Sequence, residues 1–474
     1  MQKFDTRVQL LKYKILKSVA KACFDNNVFD SIDHIVEELF PEDNTNQRTS
    51  TLYLNREIAK KRIRIALGGD LHNKNCIDVI PLACNECPIG GYEITNACQG
   101  CLAHKCQDSC KFGAISIDIN GKAHIDKEKC KECGMCSKNC PYGAIVHLVR
   151  PCKIACKVDA LTIDENQVAK IDNSKCISCG ACAYMCPFGA IMDKSCLINS
   201  IEMIKASNNN KNYKVYAIVA PAIASQFKGI SLGKIKSAIK EIGFYDMIEV
   251  AFGADKVAIE DTEEVLEKGF VTTSCCPAFV KYIEINFPDM VKNISTSPSP
   301  MVRLAKHLKE KDKNCKVVFI GPCTAKKQEI KRPEIKNIVD SVMTFEELNA
   351  MIDAKEINLE NIKESKVNDA TYYGRIFARS GGVTEAVVQA LKELKRDDVV
   401  LKPEICNGIE ACKVALLKKQ KGLSDTNLIE GMACVGGCVS GAGCFSHSNT
   451  AVNDIATFAK TSDKESLKEN TKNM

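Results

Sequence analysis

The sequence predicts an α/β domain that follows a cysteine-rich α+β region and a helical N-terminal arm. From residue 215 onward, the apolar runs VYAIVAP and DMIEVAF alternate with the amphipathic stretches GKIKSAIKEIG and DKVAIEDTEEVLEKG. This alternation is typical of a mostly parallel sheet with crossover helices. Upstream, sixteen of the 28 cysteines lie between Cys84 and Cys186 at spacings that metal sites use. The sequence therefore predicts an α/β fold associated with metal centres rather than with disulfides.

Composition and charge exclude several classes of protein. A chain of 474 residues has room for two or three domains. Its net charge is +6 and its basic residues are dispersed, so no nucleic-acid partner is expected. No apolar run approaches the ~18 residues of a membrane span, and no signal peptide or twin-arginine start is visible. We therefore expect a cytoplasmic protein with reduced thiols and no membrane partner.

Changes in composition divide the chain into five segments. Apolar residues at helical spacing in LLKYKILKSVAKACF, IDHIVEELF and REIAKKRIRIALG predict the helical arm, with the polar stretch DNTNQRTST between the last two. Cys23 and Cys76 are expected to be buried apolar side chains rather than ligands. The Asn-rich stretch MIKASNNNKNYK is typical of a linker. The segments are a helical arm at 1–80, the cysteine-rich region at 81–202, the linker at 203–214, the α/β domain at 215–450, and a charged C-terminal helix or tail at 451–474.

The cysteine-rich region contains the spacing C-x2-C-x2-C-x3-C-P twice, in CKECGMCSKNCP and CISCGACAYMCP. This is the signature of bacterial ferredoxins: three closely spaced thiolates hold one 4Fe-4S cluster, and the fourth, before proline, ligates a second cluster. A zinc ribbon is the alternative, but zinc sites use pairs of pairs rather than triplets with a trailing Cys-Pro. The region is therefore expected to be ferredoxin-like.

The same crossing rule assigns the cysteines to three accessory clusters and leaves residues for a fourth. The three sets are Cys98, Cys101, Cys106 with Cys140; Cys130, Cys133, Cys136 with Cys110; and Cys176, Cys179, Cys182 with Cys156. Cys152 and Cys186 are left over, and the upstream pair Cys84 and Cys87 completes four ligands for a fourth set. His104, in CLAHKC, is either a substitute ligand or a packing histidine.

Three later segments share a different cysteine pattern: VTTSCCPAFV, GPCTAKKQE and GMACVGGCVSGAG. Each follows an apolar run that predicts a short buried strand, at 270–272, 316–320 and 428–430, and each then turns through Gly or Pro toward a helical pattern. Because ligands bind at the carboxyl ends of strands in open α/β sheets, we expect thiolates from the three loops to converge on one buried centre. A sulfur-rich site of this kind favours iron–sulfur chemistry, zinc or copper.

In order and internal spacing, these segments resemble the signature loops of the iron-only (di-iron) hydrogenases, over roughly residues 80 to 445. The resemblance implies an H-cluster: a 4Fe-4S cubane joined through one cysteine sulfur to a two-iron site that carries carbonyl, cyanide and dithiolate ligands. The implied ligands are Cys276, Cys323, Cys434 and Cys438. The resemblance also implies that Cys275 relays protons, that Lys326 binds cyanide, and that Met432, Ala220 and Pro221 line the cofactor. Strand-end and turn chemistry accounts for Ala220 and Pro221 equally well.

The adjacent cysteines are expected to have different roles. Successive side chains on an extended backbone point to opposite faces, so Cys275 and Cys276 are not expected to bind the same iron. The thiol that does not ligate is either a proton donor and acceptor or an inert buried thiol. Beyond Cys275, the resemblance implies a proton route, although its four residues also fit a solvated helix face. Those residues are Asp261, Ser295, Glu264 and Lys268.

The sequence departs from the family pattern at several of these positions. Asp261 and Lys268 stand where Glu and Arg are usual, Ala278 and Phe279 replace Gly-Trp, and Gly321 replaces Met. Asp is shorter than Glu by one methylene, so a bridging water or another route is expected beside Asp261. These differences bear on catalytic bias and turnover more than on cofactor identity.

The resemblance implies an anaerobic, cytoplasmic hydrogenase that reversibly interconverts dihydrogen with protons and electrons. Three or four accessory 4Fe-4S clusters would pass electrons to or from a ferredoxin or similar carrier, and hydrogenase maturation proteins would supply the cofactor. One alternative is a hydrogen or redox sensor, disfavoured because no PAS-like or phosphatase-like segment is visible. The other is an iron–sulfur assembly protein without the di-iron site, disfavoured by Cys275, Lys326 and Met432 at motif positions.

Overall fold

The computed structural model describes residues 4–28, 30–42, 49–87, 90–396 and 398–474. The N-terminal arm contains helices α1 (Arg7–Phe24), α2 (Ile32–Leu39) and α3 (Thr49–Ala66). Apolar residues at helical spacing on α1, including Ile15, Leu16 and Val19, join the main hydrophobic core of the chain. Residues 43–48 of the predicted polar spacer lie outside the described residues, and its last part, from Thr49, begins α3.

The cysteine-rich region is built from short strands and one-turn helices. In chain order these are β1 (Ile77–Val79), α4 (Pro81–Cys84), β2 (Gly91–Ile94), α5 (Lys105–Asp108), β3 (Ile115–Ile117), β4 (Ala123–Ile125), α6 (Met135–Asn139), β5 (Ile145–Leu148), α7 (Pro151–Ala155), β6 (Leu161–Ile163), β7 (Ala169–Ile171), α8 (Ala181–Tyr184) and β8 (Ile191–Asp193). This mixture of short helices and antiparallel strands is the predicted α+β class.

Strand pairing shows that one module of this region is inserted into another. The strands β2 and β5 pair antiparallel, and β3 pairs with β4, which gives an inner module over residues 91–148. The strands β1 and β8 pair in the same way, and β6 pairs with β7, which gives an outer module on both sides of the inner one. The two modules have the same pairing pattern, so each follows the two-sheet plan that its ferredoxin-like spacing predicts.

The predicted linker is partly helical. The helix α9 (Leu197–Ala206) continues into its first four residues, 203–206. The turn that follows is fixed by its own polar side chains: the Asn210 amide accepts from Val215 N at 2.9 Å and donates to the Gly243 carbonyl at 3.0 Å. The Asn-rich composition therefore specifies a structured turn rather than a free connection.

The C-terminal region alternates strands and helices as predicted. Its elements are β9 (Val215–Val219), α10 (Leu232–Ile242), β10 (Asp246–Glu249), α11 (Val250–Lys268), β11 (Val271–Thr272), α12 (Pro277–Asn286), α13 (Pro300–Lys311), β12 (Lys316–Gly321), α14 (Ala325–Glu329), β13 (Ser341–Thr344), α15 (Phe345–Ala354), α16 (Tyr372–Ile376), α17 (Gly382–Glu393), β14 (Pro403–Asn407), α18 (Ile409–Gln420), β15 (Leu428–Met432), α19 (Ala451–Ala459) and α20 (Leu467–Asn470). Single 3₁₀ turns lie at Pro221–Ser225, Pro288–Asn293, Pro333–Ile335 and Cys438–Ser440.

The strands form two parallel sheets rather than one. The first has the order β10-β9-β12-β13 and the second the order β11-β15-β14. The predicted strand DMIEVAF is shorter than expected: it ends at Glu249, and α11 begins at Val250. The α/β class is confirmed, and the carboxyl ends of two sheets, not one, provide the place where loops meet.

The C-terminal tail is packed rather than frayed. Ile455 of α19 and Leu467 of α20 are fully buried, and the Asn470 amide donates to the Asp255 carboxylate at 2.9 Å. Burial of these few apolar residues fixes a segment that is rich in charged residues. Among the described helices, none has the length and apolar character needed to cross a bilayer.

Candidate functional site

The three cysteine loops of the C-terminal region meet at one cavity. Cys275 and Cys276 follow β11, Cys323 follows β12, and Cys434 and Cys438 follow β15. The cavity encloses about 90 Å³, and all of these cysteines except Cys434 line it. The structure therefore brings together loops from the ends of both parallel sheets.

Cys434 is not part of the lining, but it lies within electrostatic reach of the other predicted ligands. Burial raises its pKa well above the ordinary value, and the neighbouring Cys323, Cys276 and Cys179 raise it further. Burial also raises the pKa of Cys438 to about 12, with Cys276 as its nearest thiol neighbour. Cys179 belongs to the cysteine-rich region, so Cys434 stands on the side of the site that faces that region.

Lys326 presents its ammonium to the cavity. Its Nζ lies 3.3 Å from the Cys275 carbonyl oxygen and 2.7 Å from a Glu329 carboxylate oxygen. Burial by itself lowers the pKa of Lys326, but Glu329 and the thiols of Cys323 and Cys275 outweigh burial and raise it. A buried ammonium that stays charged is a fixed cation beside the thiols.

The rest of the cavity wall is apolar. Met432, Ala220 and Pro221, all predicted to line the cofactor, are in the lining together with Phe319 and Phe377. Met432 is 2% exposed. Such a wall keeps water away from any group held by the thiols.

Two departures from the family pattern have packing explanations. A Cβ on Gly321 would lie 2.4 Å from the Phe319 ring, because that ring occupies the space beside the glycine. The Phe319 side chain lines the cavity, and Gly321 does not. Phe279 is fully buried, and its ring lies against Gly431, where a Cβ would come within 2.1 Å of it. The altered positions are therefore matched by local packing of aromatic rings against glycines.

Cys275 and Cys276 belong to different hydrophobic clusters. Cys275 packs with the cluster that contains Val257 and Val387, whereas Cys276 packs with the cluster that contains Phe279. The backbone at Cys276 is extended, with φ −100° and ψ 103°. This packing is the arrangement expected if neighbouring side chains on an extended backbone face apart.

The predicted proton-route residues lie on α11 and, for Ser295, in the segment between the 3₁₀ turn at Pro288–Asn293 and α13. Asp261 is fully buried, and the Ser295 hydroxyl donates to its Oδ1 at 2.6 Å. Burial raises the pKa of Asp261 to about 7, and Asp261 is in turn a charged neighbour of Cys275. The Lys268 ammonium lies 3.4 Å from the Glu264 carboxylate. The structure therefore shows two contacting pairs, Asp261 with Ser295 and Glu264 with Lys268.

Sequence reasoning missed Thr296. Its backbone N–H donates to the two Glu264 oxygens at 2.9 and 3.1 Å, and its hydroxyl also donates to Glu264. Since Thr296 follows Ser295 directly in the chain, it connects that serine to Glu264. The run Ser-Thr-Ser at 295–297 was the available signal, because consecutive hydroxyls after a buried strand are well suited to bind carboxylates.

In the inner module, the cysteines are neighbours as the crossing rule predicts. Burial raises the pKa of Cys106, whose thiol neighbours are Cys101 and Cys140. Burial likewise raises the pKa of Cys136, whose thiol neighbours are Cys130 and Cys110. His104 adopts a left-handed backbone, φ 37°, before α5. The pairing itself remains a proposal, because proximity of thiols does not identify bound metal.

The outer module holds the other two sets. Burial raises the pKa of Cys182 well above its ordinary value, and its nearest thiols are Cys179, Cys176 and Cys156. Burial raises the pKa of Cys152 to about 11, and the neighbours that raise it further are Cys186, Cys84 and Cys87. The two leftover cysteines and the upstream pair are therefore brought together by the pairing of β1 with β8.

The set around Cys179 lies directly against the cavity loops. The Thr324 hydroxyl, next to Cys323, donates to the Ser178 carbonyl at 2.8 Å. A Cβ on Gly180 would lie 2.6 Å from Thr324 Oγ1 and 2.7 Å from Ala442 Cβ. The absence of a side chain at Gly180 thus allows the cysteine-rich loop to approach both cavity loops.

Lys327, which follows Lys326 directly, is also a buried residue. Its Nζ lies 2.8 Å from Asp193 and 3.0 Å from Glu347, and it is only 2% exposed. Asp193 also binds Lys12 of α1 at 2.6 Å. The network joins the N-terminal arm, the cysteine-rich region and the segment beside Cys323.

The side chains present fit thiolate-bound iron–sulfur groups. Burial raises the pKa of Cys323, Cys434 and Cys438, so these thiols need a bound cation to stay ionised in an apolar wall. Soft sulfur ligands and an apolar shell favour iron–sulfur chemistry over hard cations. Within the described ranges, no group of three or more Cys, His, Asp or Glu side chains is arranged to hold a single metal ion.

An α/β domain with buried thiol loops, preceded by ferredoxin-like modules, defines an iron–sulfur redox protein. Residues 213–442 match the family of the iron only hydrogenase large subunit, C-terminal domain, and residues 122–145 and 169–192 match 4Fe-4S binding domains. Residues 213–442 therefore carry the C-terminal domain of the iron-only hydrogenase large subunit.

Curated relatives include hydrogenases and assembly factors. Iron hydrogenase 1 of Clostridium pasteurianum is 27% identical over 298 residues, which is 51% of this chain and 52% of that protein. The periplasmic [Fe] hydrogenase large subunit of Nitratidesulfovibrio vulgaris is 29% identical over 292 residues, 49% of this chain and 69% of that protein. The cytosolic Fe-S cluster assembly factor narfl of Danio rerio is 23% identical over 267 residues, 44% of this chain and 65% of that protein.

A solved [FeFe]-hydrogenase structure, from work on oxygen inactivation of the H cluster, has a TM-score of 0.50 and 20% identity. The matched region covers 59% of this chain and 92% of the hydrogenase chain. At 20% identity, the likeness shows a shared fold. The match to the Clostridium protein spans about half of that protein's length, 52%.

Proposed function

We propose that this protein is an iron-only hydrogenase that reversibly interconverts dihydrogen with protons and electrons. The observation that carries the proposal is the cavity, where Cys275, Lys326 and Met432 stand beside the predicted ligands Cys276, Cys323 and Cys438. An electron carrier has no need of a buried ammonium and a free thiol around an apolar cavity.

The protein's own groups have distinct tasks at this site. When bound, the H-cluster supplies the Lewis-acidic metal that takes the hydride half of dihydrogen, which no side chain can do. Cys276, Cys323, Cys434 and Cys438 hold it as thiolates. Lys326 offers a compact charge to the cyanide ligands, with the N–H donor that Cys275 and Glu329 leave free. Met432 and the apolar wall exclude water.

We propose that protons travel along Cys275, Asp261, Ser295, Glu264 and Lys268, with Thr296 beside Glu264. Cys275 holds a proton at its Sγ beside the cavity and exchanges it with Asp261 through a bridging water, because no direct hydrogen bond joins the two described side chains and Asp261 Oδ2 is buried without a partner. Asp261 and Ser295 share a 2.6 Å hydrogen bond. Thr296 then links to Glu264, and Lys268 beside Glu264 marks the exit to solvent.

Electrons travel through the ferredoxin-like modules. The contact of Thr324 with Ser178 makes the Cys176, Cys179, Cys182 and Cys156 set the last step before the cavity. At the outer end we propose a ferredoxin or similar carrier, in an anaerobic cytoplasm, and hydrogenase maturation proteins as the source of the di-iron group. Three or four accessory 4Fe-4S clusters complete the cofactors.

The proposal is tested by measuring hydrogen production and uptake with an artificial electron carrier after maturation. Cys323→Ala serves as the matched control, because it removes one cubane ligand and leaves the modules intact. Activity in the parent and its loss in the variant support the proposal; a fully loaded parent without turnover in either direction contradicts it.

The second candidate is iron–sulfur assembly, favoured by the likeness to assembly factors such as narfl. This function predicts iron–sulfur clusters without carbonyl or cyanide ligands, and no need for Cys275. A sensor predicts the same ligands as the enzyme with slow turnover. Infrared spectra distinguish an assembly protein from the enzyme. Turnover numbers distinguish a sensor from the enzyme.

A further inference from the structure

The fourth cysteine set lies at the junction of the two ferredoxin-like modules. Cys84, Cys152 and Cys186 are each at least nine-tenths buried. Arg150 follows the last strand of the inner module and begins α7 of the outer module. Electrons that pass between the modules must therefore cross this junction.

Arg150 is a buried cation directed at this set. It is 5% exposed, and its Nη1 donates to Cys84 Sγ at 3.7 Å. The remaining hydrogen bonds of its guanidinium go to the neutral carbonyls of Gln167 at 2.8 Å and Cys87 at 3.4 Å. Within the described ranges, no carboxylate lies within 4 Å of this guanidinium.

A second buried arginine, Arg62, lies within electrostatic reach of Cys186. Arg62 is 9% exposed and donates to the carbonyls of Phe188 at 2.7 Å and Gly189 at 3.5 Å. Burial lowers its pKa, and Cys186 and Glu86 oppose that effect. Two buried cations without a close carboxylate are costly unless an anion lies between them. A four-iron cluster held by four thiolates is such an anion.

We propose that Cys84, Cys87, Cys152 and Cys186 hold a fourth accessory cluster, and that Arg150 gives it the highest reduction potential of the accessory clusters. Positive charge and hydrogen bonds to ligand sulfur favour the reduced state. In the other sets, the described donors to sulfur are backbone N–H groups, as from Ala114 to Cys110 and from Ala160 to Cys156, both at 3.3 Å. Arg150 is therefore a positioning and tuning residue specific to this set.

The inference rests on the proposed function, in which electrons cross the modules one at a time. A cluster held by these four cysteines would supply a one-electron step between the inner module and the set around Cys179, in either direction. No bond to a cysteine forms or breaks. The higher potential makes this cluster the one that retains an electron while the catalytic site is between turnovers.

The test is an electron paramagnetic resonance titration of the whole protein with Arg150→Met and Arg150→Lys. In Arg150→Met, one accessory signal is expected to require a stronger reductant, while the other signals and the iron content stay unchanged. Arg150→Lys keeps the charge and should recover much of the shift. Arg396→Met, an exposed arginine paired with Asp398, is the control and should shift nothing.

Metal content keeps the proposal testable if the arginine variants do not load. Cys84→Ala with Cys87→Ala is expected to remove about four irons per chain and one signal; an unchanged iron count, or the loss of zinc instead, overturns the site. Unchanged potentials in a loaded Arg150→Met overturn the tuning alone. Infrared spectra of the same parent preparations show whether the catalytic proposal has failed separately.

Discussion

Asp261 holds its carboxyl in a fully buried position, where it accepts a hydrogen bond from Ser295. Burial raises its pKa from 3.8 to about 7. The folded protein therefore binds this proton more tightly than the unfolded chain. The resulting stability is fully present below pH 3.8 and is lost as pH rises through 7.

This titration gives a prediction for Asp261→Asn. The amide still accepts from Ser295 but has no proton to lose, so the parent-minus-variant difference in melting temperature should be larger at pH 5 than at pH 8. Between pH 3.8 and 7, the free energy of unfolding of the parent relative to the variant should fall by about 1 kcal/mol per pH unit. Calorimetry at both pH values checks it, and an equal difference at both would show that Asp261 is not held protonated.

The two neighbouring cysteines should separate assembly from turnover. Cys276→Ala is expected to prevent assembly of the cofactor, since it removes a ligand in an apolar wall. Cys275→Ala should keep the carbonyl and cyanide bands and lose activity by ~10²–10⁴-fold, the contribution of a positioned acid–base group. Cys275→Asp should recover part of it. Near-parent turnover in Cys275→Ala would mean that protons leave by another route.

At the scale of elements, the contact between Gly180 and Thr324 controls how closely the outer module approaches the cavity. Gly180 has φ +77°, and a Cβ there meets Thr324 and Ala442 below 3 Å. Gly180→Ala should therefore push the loop away and slow electron transfer to the cavity. Gly113→Ala is the matched control, because Gly113 has φ +61° but open space around it.

The measurement is the rate of reduction of the catalytic site by a pre-reduced carrier, followed by stopped flow. Gly113→Ala is expected to lose about 1 kcal/mol of stability through backbone strain, with no change in the rate of electron transfer. Equal rates in Gly180→Ala and Gly113→Ala would show that this contact does not govern electron transfer.

The sequence predicts an element well when the signal for that element lies within a few neighbouring residues. The cysteine runs and the three loops after β11, β12 and β15 depend on spacing within a few residues, and the structure has them as expected. The end of β10 at Glu249 was not predictable, because VAF suits a strand and a helix equally. The burial of Lys327 was also hidden, since only its distant partners Asp193 and Glu347 show that the charge is paired.

At the scale of the whole molecule, long-range pairing determined what the sequence left open. The inner module lies between β1 and β8, and only their pairing brings Cys84 and Cys87 to Cys152 and Cys186. The allocation of α/β strands to two sheets is equally non-local. The spacing alone proposed this fourth set by elimination, whereas the fold is what shows its four thiols to be neighbours.

The buried network around Lys327 is expected to hold the three regions together. Lys327→Met leaves Asp193 and Glu347 facing each other without their shared cation, and should lower the free energy of unfolding by about 3–5 kcal/mol. Chemical denaturation measures this. Lys402→Met, which removes an exposed ion pair with Asp425, is the control and should stay close to the parent. An equally small loss of stability in Lys327→Met and Lys402→Met would show that Lys327 is not the shared partner of Asp193 and Glu347.

The central claim is that the cavity holds a di-iron group with carbonyl and cyanide ligands. An infrared spectrum of the whole protein, prepared with hydrogenase maturation proteins, tests it most directly. The account predicts carbonyl and cyanide stretching bands that disappear in Cys323→Ala. A protein with its full complement of iron and sulfide but without these bands would contradict the account and favour an assembly function.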